Sequence, residues 1–434
     1  MAVCGGVLRD ESSPLELTAA DRVYGSAAKA VFGLLWLAGR VAGVSAETLR
    51  CRSGALPAAP APLLWFHGAS AGEMSAAGTL ATLLARSGYR FTPAYTATNQ
   101  PGVELAARLG GGAAVATLAP WDHPRWVARA LDCWRPRVLF LVVTELWPSL
   151  ILEACRRNVP VICVSARIYP RDFARYRLIR SLTAPMLRRV TAVLAQNETE
   201  RDRLLALGAD PKRCTVAGNL KHVATSATCT SAASWRDAMG LQPDERVVVF
   251  GSIHADEIGA VFTALDQLSI PPLRAIIAPR HGSAVAAIVR EARRRRWRVH
   301  RRTAGSPPPD WQILVLDRMG ELVAAYAIAS VGVVGGGFGR HGGHNPLEPL
   351  MVGAPVVFGE HFDHFEQEAR ALTAVVPEAR VAGAAQLGQR VAAWLGDAAE
   401  RQRIVERQRQ CLPDGAAIAR RYVATLAPWL GGCA

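Results

Sequence analysis

Lysine is almost missing from this sequence. Among 50 Lys and Arg residues only Lys29, Lys212 and Lys221 are lysines, so arginine serves wherever charge alone is needed, and a retained lysine such as Lys221 reads either as a need for a compact ammonium or as chance. Close cysteine pairs are missing too. The nine cysteines are widely spaced, with no CxxC and no nearby Cys/His cluster, which argues against a zinc site or a disulfide framework and fits a reducing cytoplasm. Long hydrophobic runs are also absent. The apolar stretch Ala30 to Gly43 is broken by Arg40 and falls short of the ~20 residues that span a bilayer. Asp10, Glu11, Glu16 and Asp21 precede it, where a signal peptide would carry positive charge. Two readings remain for this stretch: an interfacial helix on anionic lipid, or an ordinary core helix.

What is present is enough for two cores: 434 residues, 50% apolar and 20% charged, a length and balance that exclude global disorder. The net charge of +14 attracts anions, whether nucleic acid, lipid or a phosphorylated substrate. Nucleic acid is the poorest fit, because the only dense basic run, Arg293 to Arg298, reads as a solvated helix end.

Short apolar runs alternate with amphipathic ones, the pattern of parallel sheets wrapped by helices. Leu63–Gly68, Phe91–Thr98, Val138–Glu145, Val159–Ala166 and Val190–Gln196 read as strands of one unit, and Arg246–Ser252, Leu273–Pro279, Gln312–Asp317, Ser330–Gly336 and Ala354–Gly359 as strands of another. The expected fold class is α/β, with two Rossmann-like doubly wound domains facing a cleft. The expected boundaries are 1–50 for the N-terminal helix and linker, 51–222 for the first domain, 223–240 for a Ser/Thr/Ala-rich linker, and 241–434 for the second domain, whose last helix can return to the first.

Several constellations carry chemistry. HGASAGE, His67 to Glu73, follows a strand and opens a helix. Glu73 is either a first-turn acid stabilised by the helix dipole or a general base, with Ser70 and Gly72 beside it for a ligand. Glu145, in TELWPS at the end of another strand, sits where open sheets bind ligands. Asp122 in APWDHP reads equally well as a cap for the next helix. GNLKH supplies Lys221, GSIH supplies Ser252 and His254, and APRH supplies Pro279, Arg280 and His281. These residues, at strand ends, suit an anionic ligand. The glycines of Val333 to Gly359 free backbone N–H groups, Pro346 opens a helix, and Glu348 in its first turn can reach ribose hydroxyls. No GxGxxG follows the first strand of that domain, which disfavours a dinucleotide fold.

Taken in order, HGASAGE, APWDHP, TELWPS, AQNETERDRLLALGA, GNLKH, APRH, LDRMGEL and GGHNPLEP resemble the 3-deoxy-D-manno-octulosonic acid (Kdo) transferases, from about Trp65 to Leu372. The resemblance implies a GT-B enzyme that binds its acceptor, a lipid A precursor, in the N-terminal domain and CMP-Kdo in the C-terminal domain. It implies inversion at the transferred carbon with no metal or other cofactor. It assigns Glu73 as general base and Glu145 as a second acid, with Ser70, Gly72, Lys221, Ser252 and His254 touching substrate. Pro279, Arg280, His281, Met319, Gly320, Glu321, Gly343, Asn345 and Glu348 fall on the family's CMP pocket. The implied location is the cytoplasmic face of the bacterial inner membrane, monotopic on its anionic surface. The chain departs from the family pattern at Ser165, His222, Ile253 and Gly337.

Overall fold

In the computed structural model, residues 17–109, 114–223, 232–268 and 273–431 are described. Asp10, Glu11 and Glu16, and positions 224–231 of the expected linker, lie outside them. The chain forms two compact units, Met1–Ala224 with Asp414–Ala434, and Thr225–Pro413.

In the first unit the strands are β1 (Leu63–Gly68), β2 (Thr92–Ala97), β3 (Val115–Leu118), β4 (Val138–Val142), β5 (Val161–Ala166), β6 (Ala192–Ala195) and β7 (Cys214–Val216). They are all parallel, in the order β3-β2-β1-β4-β5-β6-β7. Burial is continuous through β1, β4 and β5 because helices cover both faces of the sheet, and His67 and Ser165 are the polar residues it takes in. Phe66 of β1 stacks between Tyr95 and Phe140, with ring centroids 5.3 and 5.0 Å away. Three of the covering helices begin on proline at Pro124, Pro148 and Pro170, where a missing N–H costs nothing.

The N-terminal stretch is a helix, Ala19–Val41, capped by Thr18. It is not a separate element, because two polar ties hold it to the first unit. Arg189 donates to both oxygens of buried Asp21, at 2.8 and 2.6 Å, and Tyr24 donates to Asp122 at 2.9 Å. Its Val31, Leu34, Leu35, Leu37 and Val41 remain exposed. Among the described residues no helix is long and apolar enough to cross a membrane. The helix Gly415–Leu430 also packs on this unit. The hydroxyl of Tyr422 accepts from Ser165 N at 2.9 Å and donates to Gly218 O at 3.0 Å.

The second unit contains β8 (Arg246–Ile253), β9 (Leu273–Pro279), β10 (Val299–Arg301), β11 (Ile313–Val315), β12 (Val331–Val334) and β13 (Val356–Phe358). They are again parallel, in the order β10-β11-β9-β8-β12-β13. The buried Gln408 amide pairs with both N–H and C=O of Val356 on edge strand β13, so a side chain takes the place of a further strand.

The Asp21–Arg189 pair makes a test of how the N-terminal helix is held. Burial opposes the charge on Asp21, but hydrogen bonds from Arg189 and Thr18 hold its carboxyl down at about 2. Its contribution is therefore complete above the unfolded value near 3.8 and is lost as pH falls toward 2. Asp21→Asn leaves a buried guanidinium without its counter-charge, and urea unfolding at neutral pH is expected to show a loss of about 3–5 kcal/mol.

Candidate functional site

Strand order reverses between β1 and β4 in the first sheet, and ligands of open α/β sheets bind beyond the carboxyl ends of such strands. After β1 the chain turns through Ala69 and Ser70 into the helix Ala71–Arg86. Glu73 folds back over this turn, and its Oε2 accepts from the backbone N–H groups of Ala69 and Ser70. The acid is thus a first-turn residue in its geometry, but it is half-buried, and burial raises its pKa against the pull of these N–H groups and of Lys221. Lys221 follows Asn219, which caps its turn, and its Nζ lies 4.0 Å from where a Cβ on Gly72 would stand. Ser70, Gly72, Glu73 and Lys221 therefore meet.

Glu145 leaves the end of β4 two residues after Val143, which is held at φ +65°. This is a costly conformation for a β-branched residue, and it ends the strand earlier than the apolar run suggests. Trp147 Nε1 donates to Glu145 Oε2 at 2.7 Å. Burial pushes the Glu145 carboxyl up to about 7, and the charge of Glu73 adds to the rise. Asp122 does not cap the helix that follows it. His123 does so, while buried Asp122 accepts from Ser149 N and Leu150 N at 2.9 Å each and so caps the helix after Glu145.

The second sheet reverses between β8 and β12. Ser252, at φ +58°, makes the register slip in β8 between Phe250 and Ile253. The chain then delivers His254 and Glu257, and the expected free glycine N–H groups need correction here. The Glu257 carboxylate, which is buried, already accepts from Gly336 N at 2.8 Å, Phe338 N at 2.9 Å and Gly339 N at 3.1 Å. Those groups hold the loop in shape and are not offered to a phosphate. The helix they precede, Leu347–Met351, has only five residues, with Pro346 at its cap position and not inside the first turn. Asn345 accepts from Leu347 N at 3.1 Å.

A histidine cluster stands at the same end of the sheet. The His254 ring stacks on His341 at 3.8 Å, its Nε2 is 2.8 Å from that of His344, and His281 meets it edge-on at 5.7 Å. His341 pairs with Asp256 at 2.9 Å. Pro279 ends β9, and the next residue, Arg280, is exposed. Further along, Glu321 is taken by Arg302 at 2.8 Å, Gly320 turns the chain at φ +88°, and Met319 is 91% exposed. Gly343 lies against the Phe362 ring, and Glu348 is close enough to buried Tyr326 to raise its phenol pKa, after burial itself. No group of His, Cys, Asp and Glu among the described residues is arranged to hold a metal.

Sequence reasoning overlooked Glu257, His341 and His67, whose roles depend on which strands are neighbours. Two family departures have steric reasons. A Cβ on Gly337 would come within 2.2 Å of Phe362, which leaves no room for serine, and Ile253 is fully buried in the second core.

His344 is pushed down to about 4 by burial first and then by Arg280 and the other imidazoles. Since the unfolded value is near 6.5, its contribution is intact above that pH and is lost as pH falls toward 4. Unfolding midpoints of the native chain are expected to drop across this window. His344→Asn should flatten the slope, and an unchanged slope would remove His344 as its source.

Comparison with known proteins adds to this geometry. The family model described as "3-Deoxy-D-manno-octulosonic-acid transferase (kdotransferase)" matches residues 46–224. A 3-deoxy-D-manno-octulosonic acid transferase of Bordetella pertussis is 30% identical, covering 94% of this chain and 99% of the relative. The transferase of the same name from Haemophilus influenzae is 27% identical over 85% of this chain and 87% of its own length. A glycosyltransferase from Rickettsia africae matches in fold with a TM-score of 0.57 at 11% identity, over 85% of this chain and 99% of that one.

Proposed function

The chain belongs to the 3-deoxy-D-manno-octulosonic acid (Kdo) transferase family and is a glycosyltransferase; on that premise we propose that it moves Kdo from CMP-Kdo to a hydroxyl of a lipid A precursor, with Glu73 as the base. The observation that carries the assignment of roles is the meeting of Glu73, Glu145 and Lys221 at the strand reversal of the first sheet.

In this reaction the acceptor hydroxyl oxygen attacks the anomeric carbon of Kdo from the face opposite the phosphate. The new C–O bond forms as the bond to the CMP phosphate breaks, so configuration inverts and CMP leaves with the electron pair. Glu73 takes the hydroxyl proton. Its half-buried position raises its basicity toward the working pH. Glu145, pushed to about 7 by burial and then by the charge of Glu73, carries a proton for much of the time near neutrality. It can therefore donate a hydrogen bond while Glu73 accepts a proton. Within the second unit, Arg280 and the histidine cluster supply cationic and neutral donors suited to the phosphate of CMP-Kdo.

Glu73→Gln is expected to lower transfer from CMP-Kdo to a lipid A precursor in detergent by about 10²–10⁴-fold. Equal rates would remove Glu73 as base. Protonated Glu145 becomes scarcer as pH rises through about 7, so the native rate should fall on the alkaline side. Glu145→Gln, which keeps a donor at every pH, should flatten that limb.

The helix Ala19–Val41 supports a monotopic place on the cytoplasmic face of the inner membrane. Leu34, Leu35, Leu37 and Val41 are exposed on it, with Lys29 and Arg40 nearby in sequence to meet anionic headgroups. Cosedimentation with phosphatidylglycerol vesicles is expected for the native chain and should be lost in Leu34→Asp/Leu37→Asp. Equal binding by the double variant would move the membrane contact elsewhere.

A further inference from the structure

A helix commonly takes its N-terminal cap from the residue that opens it, most often Ser, Thr, Asp or Asn. The helix Pro148–Arg156 does not, because its cap position holds Trp147, which makes no side-chain cap hydrogen bond. The indole is engaged elsewhere, donating from Nε1 to Glu145 Oε2 at 2.7 Å. The first N–H groups of the helix, on Ser149 and Leu150, go instead to Oδ2 and Oδ1 of Asp122, 27 and 28 residues earlier in sequence. The residue at the cap position thus holds Glu145, and a remote carboxylate caps the helix in its place.

Glu145 has little else to fix it. Among the described residues Trp147 is the one hydrogen-bond donor on its carboxylate. His67, whose ring is held by Thr96 Oγ1 at 2.8 Å from Nδ1, presents Nε2 at 3.8 Å, too far for a hydrogen bond. Residues 144–147 lie in neither strand nor helix, so the start of the next helix anchors their far end. Asp122, which fixes that start, also accepts from the Tyr24 hydroxyl at 2.9 Å. Tyr24 belongs to the N-terminal helix Ala19–Val41, and Phe32 of the same helix stacks on Trp121, the neighbour of Asp122 in sequence, at 6.2 Å. Phe32, Trp121, Asp122, Trp147 and Glu145 all line one cavity of about 360 Å³. A continuous chain of hydrogen bonds therefore leads from Tyr24 through Asp122 to the start of the helix, and from Trp147 beside it to Glu145, the kind of packed polar network that carries coupling between elements.

We propose that Asp122 and Tyr24 are positioning residues for Glu145, acting through Trp147, so that seating of the N-terminal helix is a condition of activity in its own right, separate from any hold on a membrane. The part Glu145 plays in transfer rests on the reading above, whereas the link from Tyr24 to Glu145 does not. Asp122 is buried, so loss of the Tyr24 hydroxyl leaves its carboxylate short of a donor it cannot replace with water. Its grip on Ser149 and Leu150 then loosens, and Trp147 moves with them. The Trp147 N–H holds the Glu145 carboxyl down against burial and the charge of Glu73, so withdrawing it lets that carboxyl rise further. The other ionisable groups around Glu145 are Glu73, His67 and Tyr176, with Arg52 on the cavity wall. Tyr24→Phe changes none of them.

Two measurements test this on the full chain. Infrared titration, read as the carboxyl band that Glu145→Gln removes, follows Glu145 with no substrate present. Transfer from CMP-Kdo to a lipid A precursor in detergent then gives kcat and both KM values across pH. Tyr24→Phe is expected to raise the Glu145 midpoint by about half a pH unit or more and to carry the alkaline limb of kcat upward with it. It should lower the plateau of kcat about tenfold, leave the KM for CMP-Kdo unchanged, and keep cosedimentation with phosphatidylglycerol vesicles. Trp147→Phe should raise the midpoint as well, and adding Tyr24→Phe to it should move the midpoint no further. Asp122→Asn, with one acceptor oxygen left for three donors, should act more strongly than Tyr24→Phe, which keeps the test open where the asparagine variant does not fold. A Glu145 midpoint unmoved by Tyr24→Phe would overturn the proposal even if kcat fell, because a loss of fold alone lowers the rate without moving the limb. An unchanged kcat would overturn it too. A native chain that transfers nothing while Tyr24→Phe still moves the midpoint would sink the transferase reading and leave the link from helix to acid standing.

Discussion

Because β1 pairs with β2 on one side and β4 on the other, the right-handed crossovers that leave these strands run to opposite faces of the sheet. A gap is left above the two strand ends, and it cannot be filled by either helix. The turn after β1 brings Glu73 to this gap and the loop after β4 brings Glu145. The helix Ala19–Val41 and the turn at Lys221 close around it. The second unit repeats the constraint at β8 and β12, where the histidines and the glycine loop gather. Parallel pairing with the reversals at β1/β4 and β8/β12 therefore decides which residues, far apart in sequence, become neighbours.

The acids of this chain divide by how well their oxygens are satisfied. Glu257 has four backbone N–H groups on its carboxylate, and Asp21 has both oxygens on one guanidinium. Both pay for burial with full hydrogen bonding and serve the fold. Glu145 has a single indole N–H, and Glu73 two N–H groups on one oxygen, and the pKa of each is raised. Asp122 stands between these classes: it holds three donors, yet full burial still pushes it to about 7. It ties the N-terminal helix to the cap of the helix that follows Glu145, so the wall of the cavity and the position of that loop share one carboxylate.

Much of this was legible in the sequence. Apolar runs located ten strands, and two of them, β1 and β9, have the same bounds in the structure. The three others, β3, β7 and β10, lie at sheet edges, where short half-polar segments such as Val299–Arg301 lack the buried pattern that marks central strands. Glu73, Glu145 and Lys221 were visible because each ends or follows a motif. His67 was not singled out, since its role rests on Thr96 of β2, a partner 29 residues away. Glu257 was hidden for the same reason, because its partners in the glycine loop are 79 or more residues distant. The left-handed backbone at Val143, Ser165 and Ser252 has no glycine or asparagine to announce it, and only tertiary packing imposes it.

Tyr422 grips the backbone of Ser165 across 257 residues of sequence, and the whole second unit intervenes. A ribosome therefore releases the β1–β7 sheet long before the phenol that braces its β5 end has been made, and the Thr225–Pro413 insert can fold as an independent body in the interval. Until Tyr422 is made, the Ser165 N–H and the Gly218 C=O of the first unit lack the hydroxyl that joins them. Its two pieces are joined late, like a clasp fastened after the contents are in place.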